Sequence, residues 1–224
     1  GFIGSTLVSK LYKDNEILVY DNFSRDSLTY KNLKSKNITI VKGDVLDLAH
    51  LTKTVEDFRP QMAVHLASIA GVDTVMRNPV KTLEVILIGT FNFLNSLKKY
   101  SGDLERVMDF STSEVLGSYA YKSTELSNTN FAPVGEARWT YSIGKVAGEH
   151  LMHAFSKEHN YPSVTIRPFN IYGVGQVGEG AIHVFIKNAV KNKTIEIHGD
   201  GDQIRSWCYV DDMVDGIILC LTKK

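Results

Sequence analysis

Disulfide chemistry, an excess of one charge and apolar runs of membrane length are all missing from this sequence. Its only two cysteines, Cys208 and Cys220, make neither a disulfide framework nor a C-x-x-C metal pair. They fit a reducing compartment, and both read as core residues. Twenty-five Lys and Arg offset twenty-five Asp and Glu, so no global field attracts nucleic acid or an anionic membrane. An anionic ligand has to be gripped locally. The apolar run Ile217 to Leu221 is far too short to cross a bilayer, and no stretch resembles a signal peptide. The chain therefore reads as cytoplasmic, with no membrane and no nucleic-acid partner. A G-x-S-x-G nucleophile elbow is also missing, which argues against a hydrolase of that type. His150 and His153, beside Glu149 on one helical stretch, lack a distant third ligand, so no metal site is expected.

What is present is a chain of 224 residues, 43% hydrophobic and 22% charged, enough for one large domain or two small ones. Short β-branched runs at Ile17–Tyr20, Ile38–Lys42, Ala63–Leu66, Arg106–Phe110 and Ser163–Arg167 predict strands. Between them, periodic stretches at Ser5–Tyr12, Asp47–Phe58, Pro79–Lys99 and Trp139–Asn160 predict helices. This alternation is the βαβ pattern of a doubly wound parallel sheet of Rossmann type. After Arg167 the rhythm loosens into a Gly-rich loop (Gly173–Gly180), a helix near Ala181–Lys191 and short strands around Ile195–His198. Residues 1–167 are thus expected to form a cofactor-binding domain, and residues 168–224 part of a smaller substrate-binding lobe. Gly1 to Ser5 read as a turn entering a helix with no strand ahead of it. Gly216–Lys224 reads as an amphipathic helix without a stop signal. Both ends are expected to be truncated.

Four clusters carry chemistry. Gly1-x-x-Gly4 opens a helix and is followed by a strand ending at Asp21; glycines there admit a pyrophosphate, and the carboxylate accepts ribose hydroxyls, which favours NAD over NADP. The same glycines also suit a plain tight turn. Gly43-Asp44-Val45 and His65-Leu66-Ala67-Ser68 both fall at carboxyl ends of predicted strands, where open α/β sheets bind ligands. Asp44 is equally a candidate helix cap, and His65 a candidate core histidine. The sharpest cluster is Tyr141-Ser142-Ile143-Gly144-Lys145, with Ser111-Thr112-Ser113-Glu114 at the end of an earlier strand. Tyr141 and Lys145 share a helical face, as a surface pair would, but also as a base and its activator would. A phenol titrates near ~10, so it needs neighbouring positive charge to act near neutrality. Thr112 is placed to bridge the tyrosine and a substrate hydroxyl.

These clusters, in this order, resemble the extended short-chain dehydrogenase/reductases, specifically the nucleotide-sugar epimerases, dehydratases and decarboxylases. Arg167-Pro168-Phe169-Asn170-x-Tyr172-Gly173 and Tyr209-Val210-Asp211-Asp212 extend the likeness along the whole chain. The resemblance implies an NAD cofactor held by Gly1, Phe2, Ile3, Gly4, Asp21, Asn22, Ser24, Asp44, Val45, Leu66, Ala67, Ser68, Tyr141 and Lys145. It implies Tyr141 as base, Lys145 as its activator, and Thr112 and Ser113 on the substrate. Asn170 and Arg205 would grip the nucleotide diphosphate. Glu114 would act in a later step, as base at C5 or in loss of a carboxylate, and its presence points to decarboxylation or dehydration of a UDP- or dTDP-sugar. A 4-epimerase is the alternative, and a non-catalytic NAD-binding regulator the alternative of another class. A homodimer is implied as well. Two positions depart from the family pattern: Leu116 replaces a usual tyrosine, and Ile86 a usual asparagine that supports the active site.

Overall fold

The computed structural model describes residues 1–118 and 120–223, without the side chains of Tyr30 and Arg138. In chain order the elements are α1 (Phe2–Leu11), β1 (Ile17–Asp21), α2 (Leu28–Lys31), β2 (Ile38–Lys42), α3 (Leu48–Phe58), β3 (Met62–His65), α4 (Val72–Arg77) and α5 (Pro79–Leu97). They continue with β4 (Arg106–Phe110), α6 (Thr140–His159), β5 (Ser163–Ile166), β6 (Asn170–Tyr172), α7 (Ala181–Val190), β7 (Trp207–Tyr209) and α8 (Val210–Thr222). Every strand pairing is parallel, and the strands fall into three groups: β1-β2, β3-β4-β5 and β6-β7. No hydrogen bonds link β1 to β3.

The middle group shows why the fold is doubly wound. Successive side chains of a strand point to opposite faces, so in β4 Val107 enters one core and Met108 the other, both fully buried. Val107 joins Ala63, Leu94, Leu97 and Met152 under α5 and α6. Met108 joins Leu7 of α1 and Val210, Val214, Ile217 and Leu221 of α8. Gly144 lets α5 and α6 approach closely: a Cβ there would sit 3.3 Å from both Ile86 and Leu83. Ile86, 1% exposed, is thus packing substance in this helix pair.

Several expectations are corrected. Ile195–His198 is not a strand; no strand lies beside it to accept its backbone groups, and Ile195 and Ile197 are 43% and 64% exposed. The C-terminal helix begins at Val210 rather than Gly216, because Asp211 and Asp212 complement the helix dipole in its first turn. Its expected last residue, Lys224, lies outside the described residues. Cys208 and Cys220 are free and half-buried; Cys220 packs against the core that Met108 enters, as expected, whereas Cys208 is not part of it. No helix among the described residues is long and apolar enough to cross a membrane.

Candidate active site

The carboxyl ends of β1 to β4, the start of α1 and the loop before α7 open onto one cavity of about 2950 Å3. Every residue expected to bind cofactor or substrate lines it, except Lys145.

On the nucleotide side, α1 starts at Gly1 with no side chain capping its amides, which leaves donors and the positive end of the helix dipole facing the cavity. Asp21 ends β1 beside them, its Oδ2 3.4 Å from the Gly1 nitrogen. Its other oxygen accepts from the Phe23 amide at 2.7 Å, which holds the carboxylate in place. Asn22 accepts from the Ser24 amide at 3.0 Å and donates to Asp44 at 3.2 Å, joining the ends of β1 and β2. Gly43 is required at that junction, since a Cβ would run into the Tyr20 ring. The Tyr20 hydroxyl in turn donates to the Asp44 carbonyl at 3.1 Å. Asp44 does not cap α3; Asp47 does, accepting from the His50 amide at 3.0 Å. Val45 packs against the backbone of α5 at Gly89 and offers its carbonyl to Asn92 at 2.9 Å.

His65 is the core histidine that the second of its two readings expected. It is 3% exposed, stacks on Phe93 with ring centroids 4.8 Å apart, and shares a 3.2 Å hydrogen bond with Thr90. Desolvation holds its pKa down to about 3, so the ring is neutral. Leu66, Ala67 and Ser68 follow it to the cavity wall.

At the reactive end, the strand β4 runs into Ser111-Thr112-Ser113-Glu114 and meets the first turn of α6. The half-buried Tyr141 phenol faces the Thr112 and Ser68 hydroxyls. Burial first, and then the Glu114 charge, raise its pKa above the ordinary phenol value. Thr112 is 8% exposed and also accepts from the Glu114 amide at 3.3 Å. Glu114 reaches the cavity and accepts from Ser142 at 2.9 Å. Lys145, 3% exposed, sends its ammonium to the Phe110 carbonyl at 2.7 Å. Burial lowers its pKa.

Asn170 and Arg205 reach the cavity from the β6-β7 side, with Asn170 donating to the Ser206 carbonyl at 3.1 Å. No cluster of metal-ligating side chains exists among the described residues.

Some site residues had no signal in the sequence. Ser142 sits between the flagged Tyr141 and Lys145 and would have been found by asking what faces Glu114. Glu179 of the Gly-rich loop accepts from the Asp73 amide at 3.0 Å and from the Thr74 hydroxyl at 2.5 Å, tying that loop to α4. Ser27 adds a hydrogen bond to the Gly175 carbonyl at 2.9 Å. Contacts that span more than a hundred residues cannot be read from local pattern.

Parallel strands that deliver an uncapped helix start, a strand-end carboxylate and a half-buried tyrosine to one cavity make this a Rossmann-type α/β protein. The chain belongs to the NAD dependent epimerase/dehydratase family, whose description matches residues 1–224. It is 31% identical over its whole length to a dTDP-D-glucose 4,6-dehydratase of Dictyostelium discoideum, of which it covers 54%. It is 33% identical over 97% of its length to UDP-glucuronic acid decarboxylase 6 of Arabidopsis thaliana, of which it covers 62%. Among solved structures it superposes over its whole length on a UDP-glucuronic acid 4-epimerase of Bacillus cereus in complex with UDP-glucuronic acid and NAD, covering 71% of that chain with a TM-score of 0.88 at 28% identity. The chain thus spans between about half and two thirds of those two curated relatives.

Proposed function

We propose that this chain carries the cofactor site and catalytic residues of a cytoplasmic, NAD-dependent enzyme that oxidises a UDP- or dTDP-sugar at C4 and then decarboxylates or dehydrates it. The observation that carries this reading is the Tyr141 phenol, facing the Thr112 and Ser68 hydroxyls in the same cavity as α1 and Asp21.

The residues fit a dinucleotide. The unused amides at the start of α1 suit a pyrophosphate, Asp21 suits a ribose diol, and the Asp44-Val45 backbone suits the adenine edge. Phe2, Ile3 and Gly4 belong to that helix start, and Asn22 and Ser24 to the Asp21 turn. Residues 1–167 form this cofactor part, and residues 168–224 bring Asn170 and Arg205 to the nucleotide diphosphate, a bidentate task that suits a guanidinium. When bound, NAD supplies the hydride acceptor for C4. The chain's own residues do the rest. Thr112 and Ser113 orient the sugar hydroxyl, and Tyr141 takes its proton. In the protein alone burial and Glu114 keep the phenol protonated, so its deprotonation near neutral pH calls for positive charge; Lys145, one helical turn along α6, would give the chain's own share.

After oxidation, the C4 ketone acidifies C5 and makes a C6 carboxylate a β-keto acid. Glu114 is the carboxylate at hand for either departure, with Ser142 orienting it at 2.9 Å. The likeness to an epimerase favours the second reading, in which the keto sugar turns over and the hydride returns, leaving Glu114 structural. The intact Thr112, Tyr141 and Lys145 set argues against a purely regulatory NAD-binding protein.

We assign the partner to a second copy of the chain, seated on α5 and α6, where Ile88, Phe91 and Ile143 are 48%, 42% and 42% exposed. Sedimentation of the full-length protein as a monomer at micromolar concentration would contradict that assignment.

The test of function is to incubate the full-length protein and NAD+ with UDP-glucuronate, UDP-glucose and dTDP-glucose and weigh the products. Loss of carbon dioxide or of water supports the reading. A product of unchanged mass and inverted C4 selects the epimerase. No conversion of any of the three refutes both.

A further inference from the structure

We infer that Asp109 is the counter-charge that holds the Lys145 ammonium in its charged form on the Phe110 carbonyl, which makes Asp109 a positioning residue for the Tyr141–Lys145 pair. The inference rests on the function proposed above for its catalytic meaning, but its structural half stands apart from it.

Asp109 sits in β4, hydrogen-bonded on both sides, opposite His65 of β3 and Thr165 of β5. Strand alternation puts its side chain on the same face as Val107, toward α5 and α6. At Val107 that face is filled by Leu94, Leu97 and Met152. An aliphatic side chain is what such a position ordinarily takes. Instead it holds a carboxyl that is 1% exposed, and an unpaired charge there costs several kcal/mol.

The compensation is specific. Among the described residues, Asp109 is the only buried carboxylate and Lys145 the only buried ammonium. Lys145 reaches β4 one residue further on, donating to the Phe110 carbonyl at 2.7 Å, while two of its three N–H donors have no assigned protein acceptor. The Asp109 Oδ1 is buried without a hydrogen-bond partner. An ammonium with spare donors and a carboxyl with a spare acceptor are therefore both buried where α6 meets β4, at neighbouring positions of the strand though not as a direct ion pair.

The other charged groups around Lys145 do not substitute. His65, from β3, is neutral. Glu149, one helical turn beyond Lys145 on α6, is claimed by Arg167 through two hydrogen bonds of 2.9 and 2.7 Å. Tyr141, one turn before it, is a neutral phenol, and Glu114 beyond that phenol is held by Ser142. α5 contributes the uncharged Thr90. Among the described residues that leaves Asp109 as the buried carboxyl near Lys145 that no other cation balances; burial pushes its pKa up and the Lys145 charge pulls it back down, so each group opposes the other's loss of charge. The attraction of Asp109 opposes the desolvation that would otherwise strip the proton from the lysine.

The experiment follows Lys145 directly. In full-length protein labelled with 15N-lysine, the buried ammonium is titrated by NMR, its resonance assigned by its loss in Lys145→Met. Wild type is compared with Asp109→Asn, with Asp109→Leu, which fills the strand position without charge, and with Asp109→Glu. The inference predicts a Lys145 midpoint lower by about one pH unit or more in the Asn and Leu variants, and largely restored in the Glu variant. The alkaline limb of kcat, where turnover exists, moves the same way. Midpoints within about 0.3 units of wild type in Asn and Leu would overturn it. If Asp109→Asn does not fold, the Leu and Glu variants decide. Absence of NAD-dependent turnover in the wild type would sink the proposed function while leaving the titration result to judge Asp109.

Discussion

Replacing Ile217 by alanine tests whether the C-terminal helix shares one core with α1 and β4. Ile217 is 0% exposed on α8 and belongs to the cluster formed with Leu7 of α1 and Met108 of β4. The substitution removes three side-chain carbons, about 2.4 kcal/mol at ~0.8 kcal/mol each. A cavity between a helix and a strand closes only in part, so the total loss is roughly 3–4 kcal/mol. For a protein of this size that lowers Tm by roughly 6–15 °C. The control lies on the same helix: Leu219 is 51% exposed, and Leu219→Ala is expected to cost less than about 0.5 kcal/mol. Both variants are followed by thermal and urea unfolding of the full-length protein. Equal and small losses at the two positions would refute the packing of α8 described above.

Two further outcomes follow from local geometry. His65 has a folded pKa of about 3 against 6.5 when unfolded, so the unfolded chain binds the extra proton: its contribution to stability is complete above about pH 6.5 and is lost as pH falls toward 3. His65→Gln therefore flattens the acid limb of the stability curve by up to about 1.4 kcal/mol per pH unit in that window, and an unchanged slope in acid titration would count against a neutral buried histidine. Gly43→Ala pushes a methyl group into the Tyr20 ring and is expected to cost about 1–3 kcal/mol by urea unfolding, with a Tyr20→Ala background removing most of the penalty.

How far the sequence could be read depended on how local each signal was. β2 and β4 match the predicted runs residue for residue: Ile38 to Val41 are four consecutive β-branched residues, and Val107, Met108 and Phe110 supply the apolar positions of β4, side chains that suit a pleated surface wherever their partners lie. The same logic misread Ile195–His198: the pattern was present, but a strand needs a neighbour to accept its backbone groups, and the sequence does not say where one is. α4, six residues between Gly71 and Asn78, is too short for its period to show. β6 and β7, three residues each, exist because they pair with each other across more than thirty residues. At the site, Tyr141, Lys145, Thr112 and Glu114 were legible as types at telling spacings. Their partners were less so. That Lys145 bonds the Phe110 carbonyl, that Ser142 holds Glu114, and that Asp109 lies buried behind both depend on how β4 and α6 meet.

Tyr141 carries the proposed chemistry. Full-length Tyr141→Phe keeps the ring and its packing but removes the hydroxyl that faces Thr112 and Ser68. The measurement is kcat on whichever nucleotide sugar the wild type converts, alongside NAD+ affinity by fluorescence titration. A base at Tyr141 means a kcat lower by about 10²–10⁴-fold in the variant, with NAD+ affinity little changed. Turnover equal to wild type would contradict it.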